Sequence, residues 1–412
     1  MVGAGLAGLR SVEALRARGF GGTITLIGEE PHRPYDRPPL SKAVLSGEVD
    51  STTVDSDFDA LGVELRTGVV ATGLRDGVLL TSSGEVRYDG LVIATGAKPI
   101  RLPGRGPQHV LRTIDDALAL RALLGPRTRV VVVGAGWIGA EVATAARRQG
   151  CEVTVIEAGP TPLATALGPA VGAYTASWYA EADVKLLLEA KVASVDDGGV
   201  TLADGSFVEA DVVVSGVGVR PAIDWLRGSG VELGDGVLTD AHLRTTLPNV
   251  VAAGDCAAWW SRRFSHRMRV EHWDTALGAP DTAVATLLGE EAVYDPVPYF
   301  WSEQFGRMVQ YVGHHTIQPG GRDAGHGGGH GTGHGAGHGR TRMVPRGEPS
   351  ADAKWAVCWL SGPPGDEVLS AILTVDRPRD LVQGRRIIEA RHRVDPDLIT
   401  DPDVTLRECV RV

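Results

Sequence analysis

At 412 residues the chain is long enough for two or three domains with cores of their own. Its formal net charge of −10 argues against a general nucleic-acid binder, no apolar run approaches the ~20 residues that a membrane helix needs, and the chain opens in a glycine turn rather than in the charged and apolar regions of a signal peptide. Four cysteines (Cys151, Cys256, Cys358, Cys409) are widely spaced and form no C-x-x-C, which suits a reducing cytoplasm and offers neither a disulfide framework nor a metal site.

Residues 1–30 carry Gly3, Gly5 and Gly8 as G-x-G-x-x-G, with Ala7 between the last two. A helix through Leu9, Val12, Leu15 and Ala17 follows, then a strand over 23–27. Glu29 falls 21 residues after Gly8, where the acid that binds a ribose hydroxyl belongs. Only Met1 and Val2 precede Gly3; the reading favoured is a sequence that begins inside this strand, over a truly shortened strand that would loosen the first nucleotide site. The prolines of 31–45, PHRPYDRPPLSKAVL, make a rigid extended connection, and Ser41 is placed to cap a short helix. Residues 60–113 read as short strands, ending in the buried run Gly90–Ala94 and the turn Thr95-Gly96. The spacing predicts a helix over 115–124, stopped by Pro126.

Residues 129–158 are a second strand–turn–helix–strand unit. Val130 to Val133 form a β-branched run suited to burial on both faces. Gly134, Gly136 and Gly139 repeat G-x-G-x-x-G, with Trp137 and Ile138 in the variable places. The first glycine allows the tight turn, the second lets a pyrophosphate approach the backbone, and the third lets helix pack on strand. The helix is expected to bury Ile138, Val142, Ala145 and Ala146 on one face. Glu157 closes the next strand. A carboxylate there accepts hydrogen bonds from both ribose hydroxyls and repels a 2′-phosphate, so NADH is expected over NADPH. Residues 210–218 make a matching strand and glycine turn ending at Gly218. Residues 245–255 form a strand ending in Gly254-Asp255, and Val270 to Trp273 precede a helix to Leu288. In 294–412 strands are expected at 299–304, 308–312, 355–360 and 371–375, then a helix over 380–391. Residues 319–341 carry His326, His330, His334 and His338 at a four-residue period, but glycine at this density reads as an inserted flexible loop. Residues 259–269, WWSRRFSHRMR, place Arg262, Arg263, Arg267 and Arg269 in a local basic patch.

YDRPPLSK after the first glycine motif, a second G-x-G-x-x-G-x-E later and T-x-x-P-N-V-x-A-x-G-D at 245–255 together resemble the FAD-dependent ferredoxin reductase family, over nearly the whole length. The resemblance implies an α/β fold: two Rossmann-like dinucleotide-binding domains of glutathione-reductase type plus a C-terminal α+β domain. It divides the chain into an FAD domain (1–113 and 245–293), an NAD domain (114–244) and an interface domain (294–412). It implies that Gly3, Gly5, Ala7 and Gly8 hold the FAD pyrophosphate and Glu29 the ribose. Arg37, Lys42, Ala71 and Arg112 would contact FAD, with Asp255 on the ribityl chain and Trp273 at the pyrimidine end. Gly134, Gly136, Trp137, Ile138, Gly139, Glu157 and Gly218 would bind the nicotinamide coenzyme. One departure is Thr165, where many relatives have arginine. Lys42 and Glu141 are implied to pair beside flavin N5, with Trp301 covering the flavin on the side where a carrier docks. No cysteine precedes Cys151, so a thiol relay next to the flavin is not expected. The implied reaction runs from NADH through FAD to an iron–sulfur ferredoxin that serves an oxygenase such as a cytochrome P450, with the acidic carrier steered to the four arginines. Two rivals are an NADH oxidoreductase without a ferredoxin, resembling apoptosis-inducing factor, and a non-enzymatic NADH-sensing flavoprotein.

Overall fold

The computed structural model describes residues 1–75, 77–316, 341–350 and 354–411. Most of the histidine-rich stretch at 319–341 lies outside these residues. In the first unit, strand Ile24–Ile27 pairs in parallel with Val63–Arg66, and Leu91–Ile93 with Val250–Ala252. Val2 joins the two pairs by bridging to Ile27 and Ile93. Its amide donates to Val92 O at 3.0 Å, and Gly3 N donates to Ile27 O at 2.8 Å. Two residues thus occupy the central lane that a longer strand fills in the second unit. Helix α1 (Leu6–Ala17) buries Leu9, Val12 and Leu15 behind this sheet.

The second unit has four parallel strands in the order 184–187, 152–156, 129–133, 212–215. Val130 to Val133 are buried throughout, as a β-branched run covered on both faces must be. Before it, helix α2 (Ile114–Arg121) starts one residue earlier than the sequence suggests. Thr113 caps it, accepting from Asp116 N while the Asp116 side chain takes the Thr113 amide. After the strand, helix α3 (Trp137–Arg148) buries Val142, Ala145 and Ala146. Ile138 does not join them: it is 44% exposed. It sits in the first turn of α3, next to Gly136 where the space is open, so the helical period alone misplaced it. Three short helices, α4 (Ala164–Leu167), α5 (Pro169–Thr175) and α6 (Ser177–Glu181), follow and have no clear period in the sequence. An antiparallel pair, Ala97–Pro99 with Val219–Pro221, connects the two units beside Gly96 and Gly218.

Helix α7 (Trp273–Leu287) returns to the first unit and packs on α1. The C-terminal part is a five-stranded antiparallel sheet in the order 299–304, 307–313, 368–375, 355–361, 342–346. The last of these, Arg342–Arg346, adjoins the glycine-rich stretch and was not visible in the sequence. Helix α8 (Pro378–Ala390) crosses one face. Gly384 lies so close to Ile372 that a Cβ there would stand 2.8 Å from Ile372 Cγ2. Trp355, Val357 and Trp359 on the other face pack with Leu163, Leu167, Val171 and Trp178 of the second unit. Covered on both faces, strand Trp355–Ser361 is apolar from Trp355 to Leu360 rather than alternating.

Candidate functional site

The two glycine turns have the same construction. Gly3 (φ +108°) and Gly134 (φ +103°) adopt backbone that L side chains rarely adopt, and a Cβ would lie 2.0 Å from Ala94 O and 2.5 Å from Gly216 O respectively. At Gly8 and Gly139 a Cβ would stand 1.9 Å from the carbonyl oxygens of Gly3 and Gly134, so helix and turn meet without a side chain between them. Gly5 and Gly136 have nothing within 4 Å: there the space is open. They are the N-caps of α1 and α3. Neither helix has a side-chain cap or an acid in its first turn. Helices α2 and α7 are capped by Thr113 and His272. Two helix N-termini therefore keep backbone N–H groups and a positive dipole end directed at a glycine-lined gap, which fits the pyrophosphates of two dinucleotides. The exposed Ile138 and the half-buried Trp137 border the second gap.

The acid that ends each second strand is placed differently. Glu157 is oriented by the turn itself: Oε2 accepts from Ala135 N at 2.8 Å and Oε1 from Gly159 N at 2.7 Å. Glu29 lies exposed and pairs with Lys98 at 3.0 Å, while its neighbour Glu30 takes Arg37 at 2.7 Å and the Tyr35 hydroxyl. Gly218 (φ +102°) accepts from Ile100 N at the join between the units. Thr165 is exposed on α4.

Along the first gap runs a chain of polar groups. Arg37 donates to Tyr35 Oη, to the Arg112 carbonyl and to Glu30. Arg112 donates to Asp255 Oδ2 at 2.7 Å. Burial pushes the Tyr35 phenol up, so it stays a donor to Glu30 while accepting from Ile114 N. Trp273 opens α7, and its Nε1 donates to Asp36 at 2.9 Å. Ala71 begins a strand paired with Val78–Thr81.

Lys42 and Glu141 meet where the three parts of the chain converge. Lys42 Nζ lies 2.9 Å from Glu141 Oε2, and Glu141 is only 4% exposed. The carboxylate is also held by the hydroxyls of Ser41 and Ser302 and by Glu303 N. Ser41 does not cap a helix. It ends the 3-10 turn Pro38–Ser41 and donates across to α3. Tyr35, Ser41 and Ser302 are site residues that pattern reading missed. Their one sequence signal was position, inside YDRPPLSK and FWSEQ. Strand Tyr299–Gln304 presents Ser302 to Glu141 and, on its other face, Trp301 to His272 and Trp273, with ring centroids 5.0 and 5.9 Å away.

The basic patch is only half outward. Arg269 is 3% exposed and paired with Asp235 at 2.9 Å and with Glu271; Arg267 donates to the carbonyls of Thr239 and Ala258. Arg267 belongs to the hairpin of strands Ala257–Ser261 and His266–Met268, Arg269 directly follows it, and both hold it to its neighbours. Arg262, hydrogen-bonded to His242, is the exposed one, and Arg263, on the carbonyls of Ile388 and Glu389, is half-buried. Arginine count in the sequence carried no information on side-chain direction. Cys256, beside Asp255, is buried and points at Ile93 O and Ala253 O; burial pushes its thiol up, away from the reactive thiolate.

Among the described residues no helix is long and apolar enough to cross a membrane. The family model described as pyridine nucleotide-disulphide oxidoreductase matches residues 1–279, and that described as reductase C-terminal matches 332–410. The chain is similar to rhodocoxin reductase of Rhodococcus erythropolis, 34% identical over 99% of this chain and 93% of the relative. Among solved structures it resembles Fdr9 (TM-score 0.88, 48% identity, 98% of each chain). It also resembles the reductase in a covalent putidaredoxin reductase–putidaredoxin complex (TM-score 0.87, 29% identity, 99% of this chain and 96% of that one).

Proposed function

The chain belongs to the pyridine nucleotide-disulphide oxidoreductase family, among its ferredoxin–NAD(+) reductases, and from that premise we propose that it carries electrons from NADH through FAD to a small iron–sulfur ferredoxin serving an oxygenase, such as a cytochrome P450. The observation that supports this best is the Lys42–Glu141 pair, its carboxylate 4% exposed and carried on the helix that begins at the open Gly136. Residues 1–113 and 245–293 are assigned to FAD, 114–244 to NADH and 294–412 to the carrier interface.

FAD, when bound, supplies the conversion of one two-electron donation into two one-electron deliveries. The protein's residues do the rest. Gly3, Gly5, Ala7 and Gly8 leave room for the FAD pyrophosphate, Glu29 and Ala71 lie toward its adenosine half, and Asp255 and Arg112 meet its ribityl side. Arg37 fixes Arg112 through its carbonyl, and the Trp273 backbone caps the pyrimidine end. Gly134, Gly136, Trp137, Ile138, Gly139 and Gly218 shape the coenzyme slot. Glu157, already oriented, takes the ribose hydroxyls and selects NADH. Lys42 places a cation where negative charge gathers as the donor's electrons arrive, and Glu141 holds it there. Trp301, against Trp273, lies on the carrier side.

Docking is assigned to Arg262 and Arg263 rather than to Arg267 and Arg269. Arg391 donates to Arg263 O at 2.7 Å, so this turn is continuous with α8, where Arg386 is exposed. On a chain of net charge −10 this local cation cluster suits an acidic carrier. Four free, buried cysteines accord with a cytoplasmic setting. The test is anaerobic stopped flow of the FAD-loaded protein: NADH is expected to bleach the flavin quickly and added ferredoxin to be reduced in turn. Fast flavin reduction with no turnover of any ferredoxin would remove the carrier from this reading.

A further inference from the structure

We propose that Ser302 is a positioning residue for the hydride-accepting site, holding the Glu141 carboxylate in the one orientation that pairs with Lys42. The inference rests on the reading of Lys42 and Glu141 as the ion pair beside the flavin. Three separate parts of the chain meet at this single carboxylate, two of them supplying its donors. Ser41 and Lys42 come from the first unit and converge on Oε2. Glu141 itself is on α3 of the second. Ser302, from the C-terminal sheet, donates to Oε1 at 2.7 Å, with Glu303 N more distant at 3.3 Å.

The Ser302 hydroxyl has a defined direction. Gln304 Nε2 donates to Ser302 Oγ at 3.2 Å, which leaves the hydroxyl proton for Glu141. Ser302 and Gln304 are each 1% exposed, so water does not compete. Gln304, Ser302, Glu141 and Lys42 form one row in which each bond polarises the next. A carboxylate turns easily about its terminal torsion. Without the Ser302 hydroxyl, Oε1 retains only the 3.3 Å amide contact, and Glu141 can rotate out of line with Lys42. Lys42 then has the Pro38 carbonyl, already 3.3 Å away, as a competing partner.

The experiment uses FAD-loaded protein carrying Ser302→Ala or Ser302→Thr, each alone and combined with Glu141→Gln, with NADH reduction followed by stopped flow and the flavin midpoint potential measured. Loss of a hydrogen bond to a buried charged group predicts a limiting rate roughly tenfold lower in Ser302→Ala. NADH half-saturation is expected to stay within about twofold, because the coenzyme slot is untouched. The midpoint potential should move, Ser302→Thr should recover most of the rate, and Ser302→Ala should cost nothing further in the Glu141→Gln background. An equal loss in both backgrounds overturns the proposal, as does an unchanged rate in Ser302→Ala. A wild-type holoenzyme that NADH does not reduce overturns instead the reading on which it rests.

Discussion

At Glu157 the turn proposed to receive the coenzyme also orients the acid proposed to choose it, because the amides of Ala135 and Gly159 each hold one carboxylate oxygen. The charge, rather than the shape, is what opposes a 2′-phosphate. Glu157→Gln should therefore narrow the preference for NADH over NADPH by roughly tenfold, read as the ratio of kcat/KM values, with little change in fold. Lys42 carries the opposite logic. Replacing it with methionine keeps the stem and removes the cation, so flavin reduction at saturating NADH should slow by about 10²-fold; unchanged reduction would remove Lys42 from the site. His272 adds a pH dependence. Burial lowers its pKa from 6.5 to about 4, and its neutral Nδ1 caps α7 by accepting from Asp274 N. The folded state resists a proton that the unfolded chain accepts, so this contribution is complete above about pH 6.5 and falls as pH drops toward 4. Thermal denaturation from pH 7 to 4 should show a shallower loss of Tm in His272→Asn than in the parent.

Among the elements, the two glycine turns separate packing from binding, and substitutions can separate them too. Alanine at Gly139 would drive a Cβ to 1.9 Å from Gly134 O, whereas alanine at Gly136 enters open space at φ −80°. Gly139→Ala should lose several kcal/mol of stability through the displaced helix. Gly136→Ala should keep Tm and weaken NADH binding by roughly tenfold, because its methyl occupies the phosphate's place. Titration of NADH alongside calorimetry checks both. Strands and helices with strong periods were legible: the β-branched run 130–133, α3 and α7 stand close to where their patterns put them. The short helices α4 to α6 and strand Arg342–Arg346 were not, because their apolar residues face another part of the chain rather than one local core. Ile138 was misplaced for another reason: it stands exposed in the first turn of α3, beside the open space at Gly136.

For the molecule as a whole, the C-terminal tail is tied down by one buried arginine. Arg346 pairs with Asp380 at 2.9 Å and donates to the carbonyls of Ile399, Asp401 and Val404. Arg346→Met should destabilise the C-terminal part by about 3 kcal/mol, since it leaves three carbonyls without their donor and Asp380 to Arg377 alone. The carrier surface makes a different demand. Charge reversal at Arg262 and Arg386 should lower the association rate of an acidic ferredoxin about tenfold at low salt and converge with wild type at high salt. Reversal at Arg269 should instead appear as a folding defect, because that side chain is enclosed.

What the residues alone determined was everything that depends on local chain geometry. Glycine at fixed offsets after a strand fixes a tight turn with open space at Gly5 and Gly136, and an acid closes the next strand at Glu157, held by that turn. The motifs YDRPPLSK, T-x-x-P-N-V-x-A-x-G-D and FWSEQ located the remaining site segments. Direction and convergence were decided only in three dimensions. Which arginines of 262–269 face solvent depends on Asp235 and the Thr239 carbonyl, distant in the chain, as well as on Glu271 close by. That Ser41, Lys42, Glu141 and Ser302 share one carboxylate depends on three parts of the chain docking at a point, and no spacing within any of them encodes that contact.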